Sequence, residues 1–225
     1  MKVKICGLKT IQNSRAACEA GADLLGFNFY RPSSRYIEIE ACREIVKEIK
    51  TNFPEIYCVG VFVNHLPSQI KRIMTETGLD LAQLSGDEIC LDLELLGSSA
   101  FKALRPDSLP QAMADINSIP IRTAPPAFLL DHHQKGAYGG TGKTGNWKLA
   151  AEIAKKYPIL LAGGLNPKNI ISAIEEVQPW GVDVASGVEI EPGFKDPEKI
   201  KTFIQKARSV NPRLIKKNGD NYGTR

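Results

Sequence analysis

A chain of 225 residues with 43% hydrophobic and 24% charged residues has the size and composition of one globular domain, and it needs no disulfide or metal to bury a core. No apolar run approaches the roughly 18 residues of a membrane-spanning helix. The net charge of +4 lies mostly near the C-terminus, and no basic stripe with interleaved aromatic residues indicates nucleic-acid binding.

The chain begins with MKVKICGL, which is too short and too charged for a signal peptide, so we expect a cytoplasmic protein. From this point, short apolar runs alternate with amphipathic stretches along the whole chain. The strand-like runs are residues 3–6, 24–29, 57–62, 81–84, 100–104, 128–131, 159–162 and 182–185. The helix-like stretches are residues 11–20, 41–50, 68–77, 91–96, 108–116, 147–156, 167–176 and 197–208.

This alternation predicts an α/β fold, a single-domain (β/α)8 barrel or TIM barrel. We place the barrel at residues 1–208 and expect residues 209–225 to be a basic, flexible tail. An open doubly wound sheet is the alternative, but its Gly-x-Gly-x-x-Gly fingerprint is absent after the first strand.

Several helix boundaries carry recognisable signals. Thr10 is placed to cap the first helix, and Gly21 and Gly78 follow the first and third helices, where a left-handed residue commonly ends a helix. Pro167 and Pro197 are placed in the first turns of the last two helices, where a missing N–H is tolerated.

The predicted barrel rim carries glycine-rich loops. In this fold the site lies at the C-terminal ends of the strands, and phosphate is often held after strands 7 and 8. Gly163 and Gly164 follow strand 7, and Ser186 and Gly187 follow strand 8, while Gly142 lies in a third such loop after strand 6. Glycines let backbone N–H groups approach an anion. The loops therefore predict a phosphate monoester site, although turn glycines explain any one of them alone.

Cys6 ends the first strand, where its side chain can face the barrel mouth. A thiol there can act as a general base if a cation, a helix N-terminus or substrate charge lowers its pKa, although a strand-end cysteine is often only a packing residue. The other four cysteines are scattered and form no Cys-x-x-Cys, so we expect apolar packing rather than disulfides or a metal site.

Asp131 ends the sixth predicted strand. A carboxyl group after an apolar strand is costly unless it is hydrogen-bonded or used in chemistry, and partial desolvation favours the protonated form that a general acid needs. A loop cap is the other interpretation. His132 and His133 follow, and we interpret them as loop surface, because adjacent histidines point in different directions and are poor joint metal ligands.

The loop after strand 2 contains Arg31 and Arg35 among proline and serine residues. Arginines can clamp a carboxylate in bidentate fashion, so one side of the mouth would bind phosphate and the other a carboxylate. Solvated surface arginines are the alternative.

Together these segments resemble the phosphoribosylanthranilate isomerase family of tryptophan biosynthesis. The matching segments are KICG at 4–7, GFNFYRPSSRY at 26–36, VGVFVN at 59–64, LAQLSGDE at 81–88, LLD at 129–131, GGTGKT at 139–144, AGGL at 162–165 and VDVASGVE at 182–189. They occur in order and at the family's spacing from Met1 to about Ala207.

The resemblance implies an Amadori rearrangement of N-(5-phosphoribosyl)anthranilate to 1-(2-carboxyphenylamino)-1-deoxyribulose 5-phosphate. It gives Cys6 the role of general base, Asp131 that of general acid, and Arg35 that of carboxylate anchor. The phosphate-binding residues that it implies are Gly142, Gly163, Gly164, Ser186 and Gly187. We expect a small-molecule substrate, no cofactor or metal, no nucleic-acid or membrane partner, and a monomer or homodimer.

Two residues depart from the family pattern. Ser85 stands where the family usually has histidine, which puts substrate packing at strand 4 in doubt, and Asn28 replaces a commoner apolar residue. A barrel lyase or synthase such as the tryptophan synthase α chain or thiamine phosphate synthase is an alternative, as is a non-catalytic barrel that binds sugar phosphates. The Lys-x-Cys-Gly opening disfavours the first, and the pairing of Cys6 with Asp131 disfavours the second. Action on the equivalent aminoaldose of the histidine pathway is a further alternative. It normally requires paired aspartates at strands 1 and 5, whereas strand 1 here ends in Cys6.

Overall fold

The computed structural model describes residues 1–131 and 146–210. Within these ranges, eight parallel strands form a closed barrel, and pairing of the first strand with the eighth completes it. The barrel strands are β1 (Lys2–Cys6), β2 (Leu24–Asn28), β3 (Tyr57–Phe62), β4 (Leu81–Leu84), β5 (Ala100–Leu104), β6 (Phe128–Leu130), β7 (Ile159–Leu161) and β8 (Gly181–Val184). The predicted TIM barrel is confirmed.

Each barrel strand is followed by a helix on the outside. The helices are α1 (Ile11–Glu19), α2 (Ile39–Asn52), α3 (Pro67–Thr77), α4 (Cys90–Leu96), α5 (Leu109–Asn117), α6 (Trp147–Ala154), α7 (Ile170–Val177) and α8 (Pro197–Ser209). The side chain of Thr10 accepts a hydrogen bond from the backbone N–H of Asn13, and Gly78 ends α3 in the left-handed region, as predicted. None of the helices in the described ranges is long and apolar enough to cross a membrane.

The predicted start of α7 at Pro167 is wrong by three residues. Asn166 and Asn169 exchange side-chain and backbone hydrogen bonds, and both side-chain amides donate to the carbonyl of Gly164. These bonds hold residues 167–169 in a turn, so the helix begins only at Ile170. The turn fixes the loop that follows β7.

Alternation along the strands divides the core into two parts. Outward-facing residues such as Ile5 and Phe128 pack against the helices in the larger cluster. Inward-facing residues such as Val59, Phe101 and Leu160 fill the barrel interior. Three of the four cysteines expected to pack in the core are buried, but Cys90 is partly exposed at the start of α4, so that prediction is wrong for it.

A β-hairpin that the sequence did not predict lies between β8 and α8. Its strands are β9 (Glu189–Glu191) and β10 (Phe194–Lys195), which pair antiparallel. Gly193 at its tip has φ +88°, and a Cβ there would lie 2.5 Å from the carbonyl oxygen of Ser34. The hairpin tip therefore packs closely against the loop after β2 and brings Glu189 and Lys195 to the barrel mouth.

Candidate active site

Cys6 and Asp131 lie on the same rim of the barrel. Cys6 is the last residue of β1, and Asp131 directly follows β6, where its backbone N–H donates to the carbonyl of Leu104. Residues two apart on a strand face the same side. Lys4 and Leu129 belong to the barrel interior, so Cys6 and Asp131 also occupy inward-facing positions.

The thiol of Cys6 lies in space left by a glycine on the neighbouring strand. Gly26 pairs with Cys6, and a Cβ at Gly26 would lie 2.7 Å from the Cys6 Sγ and 3.1 Å from the Lys4 Nζ. Glycine at this position therefore gives the thiol and the ammonium group room inside the barrel.

A buried polar network lies beneath the thiol. The Lys4 Nζ donates to the Asp183 Oδ1 at 2.9 Å and to the Gln83 Oε1 at 3.0 Å. The amide of Gln83 in turn donates to the Oγ of Ser85 at 3.1 Å. Ser85 thus completes this network at the position where the family usually has histidine. Lys4, Gln83 and Asp183 were not predicted to belong to the site.

Opposing influences act on the Cys6 thiol. Burial raises its pKa, and Asp183 raises it further, whereas the ammonium groups of Lys4 and Lys195 lower it. The net pKa lies above its ordinary value, so the protein groups around the thiol do not by themselves supply the lowering that a general base needs. The site nevertheless supplies two cations, Lys4 and Lys195, that favour the thiolate.

Asp131 lies beside a cation that follows the neighbouring strand β5. The Arg105 Nε is 3.7 Å from the Asp131 Oδ2, and both side chains are largely buried. Arg105 also donates from Nη1 to the carbonyl of Ser85 at 3.0 Å. The carboxyl group is therefore positioned between β5 and β6, at the mouth and with only partial contact with solvent.

Arg35 and Arg31 occupy different surroundings. Arg35 donates from Nε and Nη2 to the two carboxylate oxygens of Glu189, at 2.8 and 2.7 Å. Glu189 also accepts from the buried Lys195 at 2.8 Å. Arg31 instead lies over the ring of Tyr36 and is exposed. The structure thus places Arg35 in a charge cluster at the mouth and does not bring Arg31 to it.

The glycine loops after β7 and β8 meet. Gly163 and Gly164 have φ +90° and +64°, which favours glycine at both positions. A Cβ at Gly187 would lie 1.9 Å from the carbonyl oxygen of Leu165, so the two loops are in backbone contact. Ser186 begins a 3₁₀ turn, Ser186–Val188. The third predicted loop, with Gly142, and the pair His132 and His133 lie outside the described residues.

A separate cleft of about 420 Å³ lies outside the barrel wall. It is lined by parts of the loop after β2 and of α3, including Tyr36, His65 and Arg72. Of the residues considered for the site, Arg31 lines this cleft, whereas Cys6, Asp131 and Arg35 do not. Although it is a well-formed cavity, the groups suited to acid–base chemistry lie instead at the barrel mouth.

A closed (β/α)8 barrel with a thiol, a carboxyl group and an arginine at the carboxyl ends of its strands has the architecture of a barrel enzyme. Residues 3–206 match the family model of N-(5'-phosphoribosyl)anthranilate (PRA) isomerase. The N-(5'-phosphoribosyl)anthranilate isomerase of Syntrophus aciditrophicus is 41% identical over 207 residues, which cover 92% of this chain and 87% of that protein. The chain belongs to the PRA isomerase family, the isomerases of tryptophan biosynthesis.

Solved structures agree with this placement. Phosphoribosyl anthranilate isomerase from Thermotoga maritima superimposes with a TM-score of 0.83 at 36% identity, and the match covers 93% of this chain and all of that one. A phosphoribosyl anthranilate isomerase in complex with reduced 1-(o-carboxyphenylamino)-1-deoxyribulose 5-phosphate gives a TM-score of 0.79 at 33% identity, with 93% and 100% coverage.

Proposed function

We propose that this PRA isomerase uses Cys6 as general base and Asp131 as general acid. The observation that carries the proposal is that an inward-facing thiol and an inward-facing carboxyl group lie on the same rim of one barrel. Acid–base catalysis on a single sugar requires two such groups within reach of the same substrate.

The rearrangement needs two proton transfers before the final tautomerisation. Asp131 gives a proton to the furanose oxygen of N-(5-phosphoribosyl)anthranilate, and the ring opens to a cationic imine. The positive nitrogen acidifies the proton on C2, which the Cys6 thiolate removes. The enolamine formed in this way tautomerises to the ketone, 1-(2-carboxyphenylamino)-1-deoxyribulose 5-phosphate. Each acid or base typically contributes about 10²–10⁴-fold to the rate.

The charges around Cys6 support its role as a base. Lys4 and Lys195 already favour the thiolate, while burial and Asp183 oppose it. The cationic imine adds a third positive charge next to the sulfur during the reaction. The thiolate is therefore favoured at the stage at which C2 must lose its proton.

The two anionic ends of the substrate are anchored on opposite sides of the reacting sugar. Arg35 binds the anthranilate carboxylate. The phosphate is bound by the backbone of the loops that contain Gly142, Gly163, Gly164, Ser186 and Gly187. Fixing both ends holds the sugar between the acid and the base, which converts binding energy into correct orientation.

Replacement of the acid and the base tests the assignment in the fluorescence assay with the anthranilate-bearing substrate. Cys6→Ala and Asp131→Ala should each reduce kcat by at least about 10²-fold with smaller changes in KM. Cys42→Ala, a buried cysteine away from the mouth, and Asp107→Asn, an exposed aspartate after β5, serve as matched controls and should retain kcat. Near-wild-type turnover in either Ala variant of the proposed pair would remove that residue from the mechanism.

The chain acts in the cytoplasm as a monomer or homodimer, with a small molecule as its partner. A related isomerase from Thermotoga maritima is dimeric and has also been obtained as monomers. Sedimentation of the purified chain over a concentration series distinguishes the two states of assembly.

A further inference from the structure

Glu189 holds Arg35 in a two-pronged ion pair. The Arg35 Nε and Nη2 lie 2.8 and 2.7 Å from the two oxygens of Glu189, and the side chains are only 12% and 4% exposed. A bidentate pair of this kind fixes the plane of the guanidinium as well as its position. The orientation of Arg35 is therefore set by the protein itself.

The other end of the Arg35 side chain is also fixed. Gly7 has φ +78°, and a Cβ at that position would lie 2.6 Å from the Cδ of Arg35. The methylene groups of Arg35 thus pack against the backbone that directly follows Cys6. Contact at both ends leaves the side chain little freedom next to the proposed base.

Lys195 offsets the charge of Glu189. Its side chain is 1% exposed, and its Nζ donates to the Glu189 Oε1 at 2.8 Å and to the carbonyl of Ala185 at 2.9 Å. Burial alone would raise the pKa of Glu189, but the bonds from Arg35 and Lys195 outweigh burial and hold that pKa below its ordinary value. Burial lowers the pKa of Lys195, and the bond to Glu189 acts against this lowering. With Lys195 protonated, the cluster contains two cations and one carboxylate and has a net positive charge.

Glu189 occupies only one edge of the guanidinium. Arginine has five N–H donors, of which Glu189 takes one on Nε and one on Nη2. The donors on Nη1 and the second donor on Nη2 bond no acceptor in residues 1–131 or 146–210. These donors form a second, end-on edge that matches a carboxylate.

We propose that Glu189 is a positioning residue for recognition of the substrate carboxylate: it orients Arg35 so that the end-on edge receives the anthranilate group, while Lys195 keeps the cluster net positive. This inference rests on the proposed role of Arg35 as the carboxylate anchor. It assigns Glu189 and Lys195 to substrate specificity, because a ligand without a carboxylate gains nothing from the arrangement.

A double-mutant cycle between Glu189 and Arg35 tests the proposal with the purified full-length chain and the anthranilate-bearing substrate. Glu189→Gln should raise KM about tenfold, since the neutral amide cannot hold both donors, and should leave kcat within about twofold. In an Arg35→Ala background, the same substitution should change KM by less than about twofold, because Glu189 acts through Arg35.

A second variant and a control complete the experiment. Glu189→Asp replaces Glu189→Gln as the test variant if the latter does not fold. It keeps the negative charge opposite Lys195 but shortens the side chain by one methylene, so it should also raise KM. Glu48→Gln removes the partly exposed partner of Arg15 on the barrel surface and should leave KM unchanged.

The other outcomes of the double-mutant cycle distinguish the anchor role of Arg35 from the positioning role of Glu189. Equal increases in KM in both backgrounds, or a decrease in KM that shows Glu189 competing with the substrate, overturns the positioning role alone. An unchanged KM and kcat in Arg35→Ala overturns both the anchor and the positioning role.

Discussion

The Nζ of Lys4 lies 2.9 Å from the Oδ1 of Asp183 in the interior of the barrel, and both side chains are almost fully buried. Burial alone disfavours the ammonium form, but Asp183 and Cys6 outweigh it and raise the pKa of Lys4. These partners favour the protonated form of the lysine beneath the thiol of Cys6. This ion pair joins β1 to β8 and at the same time sets the charge next to the proposed base.

Removal of the lysine should shift the pH dependence of the reaction. Lys4 lowers the pKa of Cys6 and Asp183 raises it, so Lys4→Met removes the larger of the two favourable charges and leaves only Lys195 to oppose Asp183. The thiolate is the active form in the proposed mechanism, and its fraction grows as the pH rises. We therefore expect the acidic limb of the kcat profile to move to higher pH in Lys4→Met, with reduced turnover at neutral pH. Measurement of kcat across the pH range checks the direction.

A second buried lysine provides the control for this experiment. Lys102 pairs with Glu88 at 2.5 Å on the outer face of the sheet, away from the thiol. Breaking a buried pair costs about 3–5 kcal/mol of unfolding free energy in either variant. Lys102→Met should therefore lose stability without a shift in the pH profile. A shift of equal size in both variants would show that the change is a general effect of destabilisation.

Reaction of the cysteines with iodoacetamide should distinguish Cys6 from the others. Cys90 is partly exposed and should react first, with or without ligand. Burial raises the pKa of Cys18 and Cys58 to about 12, so they should stay unmodified in the folded protein. Cys6 lies at the mouth and should react slowly, and reduced 1-(o-carboxyphenylamino)-1-deoxyribulose 5-phosphate should protect it. Peptide mass mapping measures each rate, and an unprotected Cys6 would place the thiol outside the ligand site.

The barrel was predictable because its signals are local. Three strands were predicted to the residue: Tyr57–Phe62, Leu81–Leu84 and Ala100–Leu104. Each is mostly apolar and is bounded by residues that do not continue a strand. The hairpin of β9 and β10 was not predictable in the same way. Its strands have three and two residues, and Ile190 and Phe194 on them are exposed, so neither alternation nor burial marks them.

The site was predictable only where position on a strand was sufficient. Cys6 and Asp131 follow from the rule that barrel chemistry lies at strand ends. The partners of Lys4 do not follow from that rule. A lysine in the segment KVKIC suggests an exposed position, and Asp183 is 179 residues away in sequence. Only closure of the barrel brings them together. For the same reason, Glu189 could be recognised as part of the VDVASGVE segment, but its ion pair with Arg35, 154 residues away, could not be predicted.

Deletion of residues 211–225 should leave the enzyme active. The helix α8 ends at Ser209 after its buried face, including Phe203 and Ala207, has packed against the barrel, and the family match ends at residue 206. A chain that ends at Val210 should therefore show kcat, KM and a melting temperature close to those of the full chain. A loss of solubility or a large increase in KM would assign the segment to the barrel or to the site.

Gly187→Ala should weaken substrate binding by separating the two loops proposed to bind phosphate. The added Cβ would lie 1.9 Å from the backbone oxygen of Leu165, so the loop after β8 must move away from the loop after β7. Gly21→Ala is a suitable control, because that glycine has φ +98° but lies at the end of α1 near Arg208, remote from the mouth. It should cost roughly 1 kcal/mol of stability and leave KM unchanged. The Gly187 variant should instead show a KM at least about tenfold higher and weaker inhibition by inorganic phosphate. If the two variants differ only in melting temperature, the contact between the loops stabilises the fold and does not bind phosphate.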